Sequence, residues 1–295
     1  MRPRCVLVER STEYRDLLAR HGTREQARFF LDHQGLSIDD VRERHESHQR
    51  ARAGVLTDIP ADWRIATVDR SELDRFLFAE DDIVVVLGQD GLVANTAKYL
   101  GTQPVIGLNP DRDRNPGVLV RHLPEAAGDL LADAAGNRLA VERRTMVEAA
   151  LDDGQRLLAL NEIFLGHHGH QSARYTLEVG GVAERQSSSG VIVASGTGAT
   201  GWAASINGQR PDPLHLPTPT ERALAWFVRE PWPGPATGIS LDGGTLDDGQ
   251  SLVATSELGE GATLFGDGIE ADRLQIDWGQ RASIGIAEGC LRLAV

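Results

Sequence analysis

A run of five residues, Ile83-Val84-Val85-Val86-Leu87, limits the possible folds more than anything else in this chain. It has no polar face, and it leads without a break into Gly88-Gln89-Asp90-Gly91-Leu92. A strand apolar on both sides needs cover on both faces, which points to a parallel sheet built from alternating strands and helices. The flanking sequence agrees. Arg4–Val8 and Ile65–Val68 read as short strands, and Ser11 or Thr12 can cap a helix containing Leu17 and Leu18. Ser37 starts a very polar helix through Arg52, Ser71 caps another through Phe78, and a further helix is expected from the glycine-rich junction through Leu100. Residues 1–125 are therefore expected to form an α/β doubly wound N-terminal domain.

The pattern then changes to a β-rich C-terminal domain, expected over 126–295. Arg138–Ala150, Gln155–Leu165, Arg174–Val179, Val182–Gln186 and Val191–Ala194 are short runs separated by Asp153-Gly154 and Gly180-Gly181, which are hairpin signals. Strands recur from Gly238 to Val295 with Gly243-Gly244 and Asp267-Gly268 as turns, and Pro211–Pro219 reads as a loop. The C-terminal tail is a candidate to pack back on the first domain.

Charge and composition exclude several classes. Thirty Lys and Arg against 43 Asp and Glu give a net charge of −13, which repels a phosphate backbone, so no nucleic-acid partner is expected. No apolar run approaches the ~18 residues of a membrane span, and Met1–Arg4 leads into a strand and not a signal sequence, so a cytoplasmic protein with no membrane partner is expected. Cys5 and Cys290 lie in apolar stretches without metal or redox spacing and are expected to be buried thiols. Lys98 is the sole lysine, a bias that looks compositional. His167, His168 and His170 read as a hairpin loop, and no protein-held metal is expected. Ser195 does not sit in a nucleophile-elbow pattern, which argues against a hydrolase.

Three segments carry chemistry. The strand-to-helix junction at Gly88, Gln89, Asp90 and Gly91 points backbone N–H groups into the crevice at the carboxyl end of a sheet, where phosphates bind. Asp90 there can take a proton from a hydroxyl or serve a metal, or it can be a plain Asx turn or helix cap. Asn161-Glu162 closes the run from Leu157. Ser187-Ser188-Ser189-Gly190, a strand, and then Ser195-Gly196-Thr197-Gly198-Ala199-Thr200-Gly201-Trp202 form the third. Small hydroxyl residues and glycines after a strand allow close backbone approach and supply many donors, and the same pattern also suits a simple loop and N-cap.

In this order and spacing the segments resemble the NAD kinase family, closest to its mitochondrial-type branch. That branch shares the flavour of Pro104-Val105-Ile106-Gly107-Leu108-Asn109, Ser188-Ser189-Gly190, Gly196-Thr197-Gly198 with Trp202, and Arg229-Glu230-Pro231. The resemblance runs from about Ile83 to the C-terminus. It implies an NAD kinase-like fold and an enzyme that moves the γ-phosphate of ATP, or a phosphate of polyphosphate, to the adenosine-ribose 2′-hydroxyl of NAD, giving NADP. It implies Asp90 as the catalytic base and Gly88 and Gln89 at phosphate. It further implies Gly91, Asn161, Glu162, Ser187, Ser189, Thr197, Thr200, Gly201, Trp202 and Ser205 at the acceptor. Mg²⁺ with ATP, and a homodimer or higher homo-oligomer, follow from the same resemblance. Gln89 stands where the family has a second glycine and Leu92 where it has a threonine whose hydroxyl could bind phosphate. These departures keep open a kinase of another polyol, nucleoside or lipid hydroxyl, or a nucleotide-binding regulator without transfer activity.

Overall fold

The computed structural model describes residues 2–295, which divide into two compact units. One takes the chain up to Thr96, Gln103–Val141 and Arg292–Val295; the other takes Ala97–Thr102 and Glu142–Leu291.

The first unit is α/β. Its strands are β1 (Arg4–Glu9), β2 (Arg64–Asp69), β3 (Asp82–Leu87) and β4 (Pro104–Leu108), all parallel in the order β2-β1-β3-β4. β3 is buried at every position, as its lack of a polar face requires. Cys5, Leu7, Ile83, Val85, Leu87 and Ile106 face α3 (Ile38–Asp58) and α5 (Ala127–Ala135), whose Val55, Ala127 and Leu131 complete the cluster. The alternate residues Val6, Val8, Val84 and Val86 are equally buried, so both faces of the sheet are covered. Between β1 and β2 run α1 (Glu13–His21), α2 (Arg24–Asp32) and α3, packed on one another through Leu17, Ala27, Leu31, Ile38 and Val41. Ser37 caps α3, accepting from the N–H groups of Asp39 and Asp40. α4 (Asp90–Ala97) follows β3 directly.

Two expectations are corrected here. No helix runs from Ser71 to Phe78: Asp69 caps a single 3₁₀ turn over Arg70–Glu72, and the chain beyond is held by other bonds. The Arg4 guanidinium donates to the Leu77 carbonyl (3.0 Å), and the Asp82 carboxylate, three residues on, accepts the Ala79 N–H (2.7 Å), so the segment enters β3 as a bonded loop. Cys290 is only half-buried, whereas Cys5 is buried and its thiol is pushed up to about 12 by burial and the Asp82 charge.

The second unit is a β sandwich with β5 (Val141–Leu151), β6 (Arg156–Ala159), β7 (Glu162–His167), β8 (Ala173–Val179), β9 (Val182–Ser188) and β10 (Val191–Ala194). After α6 (Trp202–Asn207) come β11 (Ala223–Val228), β12 (Gly243–Asp247), β13 (Ser251–Ser256), β14 (Ala262–Gly266), β15 (Ile269–Ile276) and β16 (Arg281–Ala294). One antiparallel sheet has the order β12-β11-β10-β7-β14-β15. The other runs β16-β13-β8-β9, with the β5–β6 hairpin beside β16. Ile163, Leu165, Val191, Val193, Leu224 and Trp226 of the first sheet meet Tyr175, Leu177, Leu252 and Ile284 of the second in one core. The alternating residues Ala194, Ala225 and Phe227 turn outward under Ala203 of α6, so α6 covers the outer face of the six-stranded sheet. The final residues of β16 belong to the first unit, where Arg292 and Leu293 pair in parallel with Pro104 and Val105.

Gly243-Gly244 is a third correction, being strand and not turn. A Cβ on Gly244 would lie 2.9 Å from Trp226 Nε1, so packing of the indole selects glycine inside β12.

Candidate active site

In the first unit, α4 begins at Asp90 immediately beyond the Gly88-Gln89 turn, and the Gly88 N–H is tied to the Leu108 carbonyl at 3.0 Å. Gln89 and Gly91 are exposed, and nothing lies within 4 Å of a Cβ placed on Gly91, so this turn is open. Asp90 reaches a long way in sequence. Its Oδ1 accepts the N–H groups of Val118 (3.0 Å), Leu119 (2.8 Å) and Val120 (3.1 Å), and its Oδ2 accepts Val118 again at 2.8 Å. A carboxylate offers about four lone-pair sites, so Oδ1 is fully engaged while Oδ2 retains capacity for another donor. This is a clamp on a distant loop, a longer-range role than the turn or cap that local reading offers. Leu92 is 3% exposed, so a threonine there would present its hydroxyl to buried surroundings.

The second unit holds the remaining sequence-predicted residues. Asn161 lies in the break between β6 and β7 and Glu162 opens β7, while Thr197–Gly201 lie in the turn between β10 and α6, which Trp202 begins. Ser195 joins the two segments. Its hydroxyl donates to the Leu160 carbonyl and accepts from Thr197 N–H (3.1 Å) and Gly198 N–H (3.4 Å), while its own N–H donates to the Asn161 carbonyl (2.8 Å). Gly198 is glycine for the same reason, since a Cβ there would collide with the Asn161 carbonyl. Ser195 is thus a structural tie within the candidate site.

The electrostatics of this tie are unusual. Both carboxylate oxygens of Asp267, in the turn between β14 and β15, accept backbone N–H groups: Leu160 (2.9 Å), Asn161 (2.7 Å) and Glu162 (3.4 Å). Burial, reinforced by the Asp267 charge, pushes Glu162 up to about 7. Burial also pushes Asp267 up to about 6, against the pull of its three N–H bonds and of Lys98. Lys98 is itself buried, with its ammonium 2.6 Å from Asp272. The single lysine, read as a compositional accident, is therefore part of the charge balance here.

Trp202 is half-buried beside Phe164, with ring centroids 5.8 Å apart and planes at 13°, and the Arg229 guanidinium lies 5.0 Å from the indole. Phe164 was not read from sequence. The signal for it is a pair of glycines, because a Cβ on Gly166 or Gly190 would run into the Phe164 ring. Thr197 is buried, and its Oγ1 accepts from Arg144 (3.3 Å), a fully buried side chain that also pairs with Glu142. Thr200, Gly201 and Ser205 are exposed, and the Thr200 hydroxyl donates to the Thr197 carbonyl. Ser187 and Ser189 are half-buried and bracket the end of β9; the Ser187 carbonyl accepts Trp232 N–H and the Ser189 N–H donates to Arg229.

Among the described residues no group of three or more His, Cys, Asp or Glu side chains could hold a metal ion. His167 ends β7 and stacks on His168 at 4.8 Å, and its Nδ1 accepts the Gly169 N–H, so the expected loop begins only at His168. No helix among the described residues is long and apolar enough to cross a membrane.

Known proteins with similar sequences and folds are NAD and NADH kinases. No family model matches the chain. It is 34% identical over 139 residues to an NAD kinase of Aromatoleum aromaticum, covering 44% of this chain and 45% of that protein. It is 28% identical over 255 residues to the mitochondrial NAD kinase 2 of Homo sapiens, covering 69% of this chain and 58% of that protein. The chain spans about half the length of the curated relatives it matches. Among solved structures, the yeast NADH kinase complexed with NADH aligns over 100% of this chain and 84% of its own, with a TM-score of 0.61 at 17% identity. An Archaeoglobus fulgidus NAD kinase in complex with ATP aligns over 99% and 93%, with a TM-score of 0.58 at 19% identity. The chain is similar to NAD kinases over part of its length and shares the fold of solved NAD and NADH kinases. In this fold an α/β unit with a parallel sheet and a β-rich antiparallel unit carry the two groups of candidate residues.

Proposed function

We propose that this chain is an NAD kinase that transfers the γ-phosphate of ATP, or a phosphate of polyphosphate, to the 2′-hydroxyl of the adenosine ribose of NAD. The observation that carries the reading is the Ser195 tie. It holds the backbone before Glu162 against the start of the Thr197–Trp202 turn, two segments both expected at the acceptor. The names of the relatives, which are NAD and NADH kinases, support the same reading.

Each residue then has a role set by its chemistry. Glu162 accepts nucleoside hydroxyls, with Asn161 beside it. The turn from Thr197 and the Trp202 ring bound the dinucleotide, and Ser187, Ser189 and Ser205 supply hydroxyls at its edge. Asp90 Oδ2, the oxygen with spare capacity, accepts the ribose proton as the new oxygen–phosphorus bond forms and the nucleoside diphosphate or shortened polyphosphate leaves. The open Gly88–Gly91 turn offers backbone to the donor phosphates. Mg²⁺ bound to the donor phosphates would neutralise their charge, and no cluster of acidic or histidine side chains among the described residues is placed to hold it instead.

The test is an assay of purified protein with ATP or polyphosphate, crossed with NAD, NADH and a panel of polyols and nucleosides. Formation of NADP is expected. Transfer only to a polyol, nucleoside or lipid hydroxyl would replace the acceptor, and nucleotide binding with no transfer to any acceptor would make the chain a regulator.

A further inference from the structure

We infer that Asp267 is a positioning residue of the acceptor site, holding the Asn161-Glu162 turn in shape by accepting the N–H groups of Leu160, Asn161 and Glu162. The inference rests on the reading that Asn161 and Glu162 meet the acceptor.

The hairpin itself does not explain this side chain. Asp267 (φ 55°) and Gly268 (φ 68°) form a tight turn between β14 and β15, where Asn-Gly serves as well as Asp-Gly. A turn aspartate that only shapes its own hairpin keeps its carboxylate in water. Here the carboxylate is partly withdrawn from water and aimed away from its hairpin at three consecutive N–H groups of another segment, at 2.7–3.4 Å. The Asp267 N–H closes the ring by donating to the Glu162 carbonyl at 3.1 Å. From the opposite side Ser195 takes the carbonyls of Leu160 and Asn161. The turn's backbone is thus fixed on its N–H side by Asp267 and on its C=O side by Ser195, which leaves the Asn161 and Glu162 side chains as its variable part.

The charges around Asp267 are Glu162, Lys98 and the Asp272 that Lys98 pairs with; β10 and β14 carry no ionisable side chain, and Arg156 of β6 is paired with Glu148. Removing the Asp267 charge therefore leaves Glu162 without its one repulsive neighbour and lowers the pH at which it ionises.

Two variants separate the parts. Asp267→Gly keeps the positive φ and removes the side chain; Asp267→Asn keeps φ and shape, removes the charge and retains one acceptor oxygen. Amide hydrogen exchange, read without substrate, is expected to quicken by about tenfold or more at residues 160–162 in Asp267→Gly, with β10 and β14 unchanged. In the transfer assay, KM for NAD is expected to rise by about tenfold with kcat changed by less than about threefold. Asp267→Asn is expected to fall between, with the pH dependence of KM displaced to lower pH. Wild-type exchange in both variants overturns the inference, as does faster exchange with an unchanged KM in an active enzyme. If the wild-type chain neither binds nor phosphorylates NAD, it is the functional reading that fails, and unchanged or quickened exchange at 160–162 still decides the clamp.

Discussion

Asp90 and Glu162 are carboxyl groups that their surroundings put to opposite uses. Asp90 is surrounded by N–H donors and holds a loop while keeping Oδ2 available. Asp90→Asn places an amide where one acceptor oxygen was, so kcat is expected to fall by roughly 10²-fold or more while dinucleotide affinity, measured by calorimetry, stays within about twofold. Unchanged turnover would remove Asp90 from the role of base. Glu162 is instead a carboxyl that folding makes harder to ionise, from an ordinary 4.5 to about 7. The folded state then binds more protons than the unfolded state between those values, so stability is highest below the lower one and declines as pH rises through the window. Asp267, raised from 3.8 to about 6, acts in the same direction. Glu162→Gln is therefore expected to raise stability above pH 7 by about 2 kcal/mol and to flatten the slope of Tm against pH between about pH 5 and pH 8. The same change should weaken acceptor binding by about 1.5–3 kcal/mol, the worth of a hydrogen bond to a charged group. A stability gain without a KM change would make Glu162 a buried charge of no use to the acceptor.

At the scale of elements, β3 and β10 were legible because burial on both faces leaves an uninterrupted apolar run, and Asp90 was legible because it stands at the end of such a run. Asp267 and Phe164 were not. Their partners are distant in sequence, and a hairpin Asp-Gly or an isolated aromatic in a strand has an adequate local explanation. The segment after Ser71 likewise has one partner distant in sequence, since Arg4 holds the Leu77 carbonyl. Leu92 and Gln89, the two departures from the family pattern, sit in different surroundings. Replacing Gln89 by Gly touches an exposed turn, whereas Leu92→Thr exchanges a buried branched side chain for a smaller one carrying a hydroxyl. The first is expected to leave Tm nearly unchanged, and the second to cost about 1–3 kcal/mol without improving the KM for ATP. Denaturant unfolding of the two single variants separates these effects. A stable Leu92→Thr protein with a lower KM for ATP would mean that the position faces the donor after all.

At the scale of the whole molecule, the net charge of −13 opposes substrates that are themselves anions. The candidate acceptor surface has Arg144 and Arg229 nearby, but Arg144 is already paired with Glu142 and Arg229 lies against Trp202, so these cations act at short range. Salt distinguishes the two ranges. The screening length falls from ~30 Å at 0.01 M to ~10 Å at 0.1 M, which removes long-range repulsion while leaving contacts at hydrogen-bond distance much less affected. Raising salt over that range, with free Mg²⁺ held constant, is therefore expected to lower the KM for ATP by about twofold or more and to change the KM for the less highly charged NAD by less. A KM for ATP that rises steeply with salt would show instead that a local cluster of cations governs capture of the donor, overriding the acidic surface. The Gly88–Gly91 turn, which offers backbone and no cationic side chain, would then not be the dominant phosphate contact.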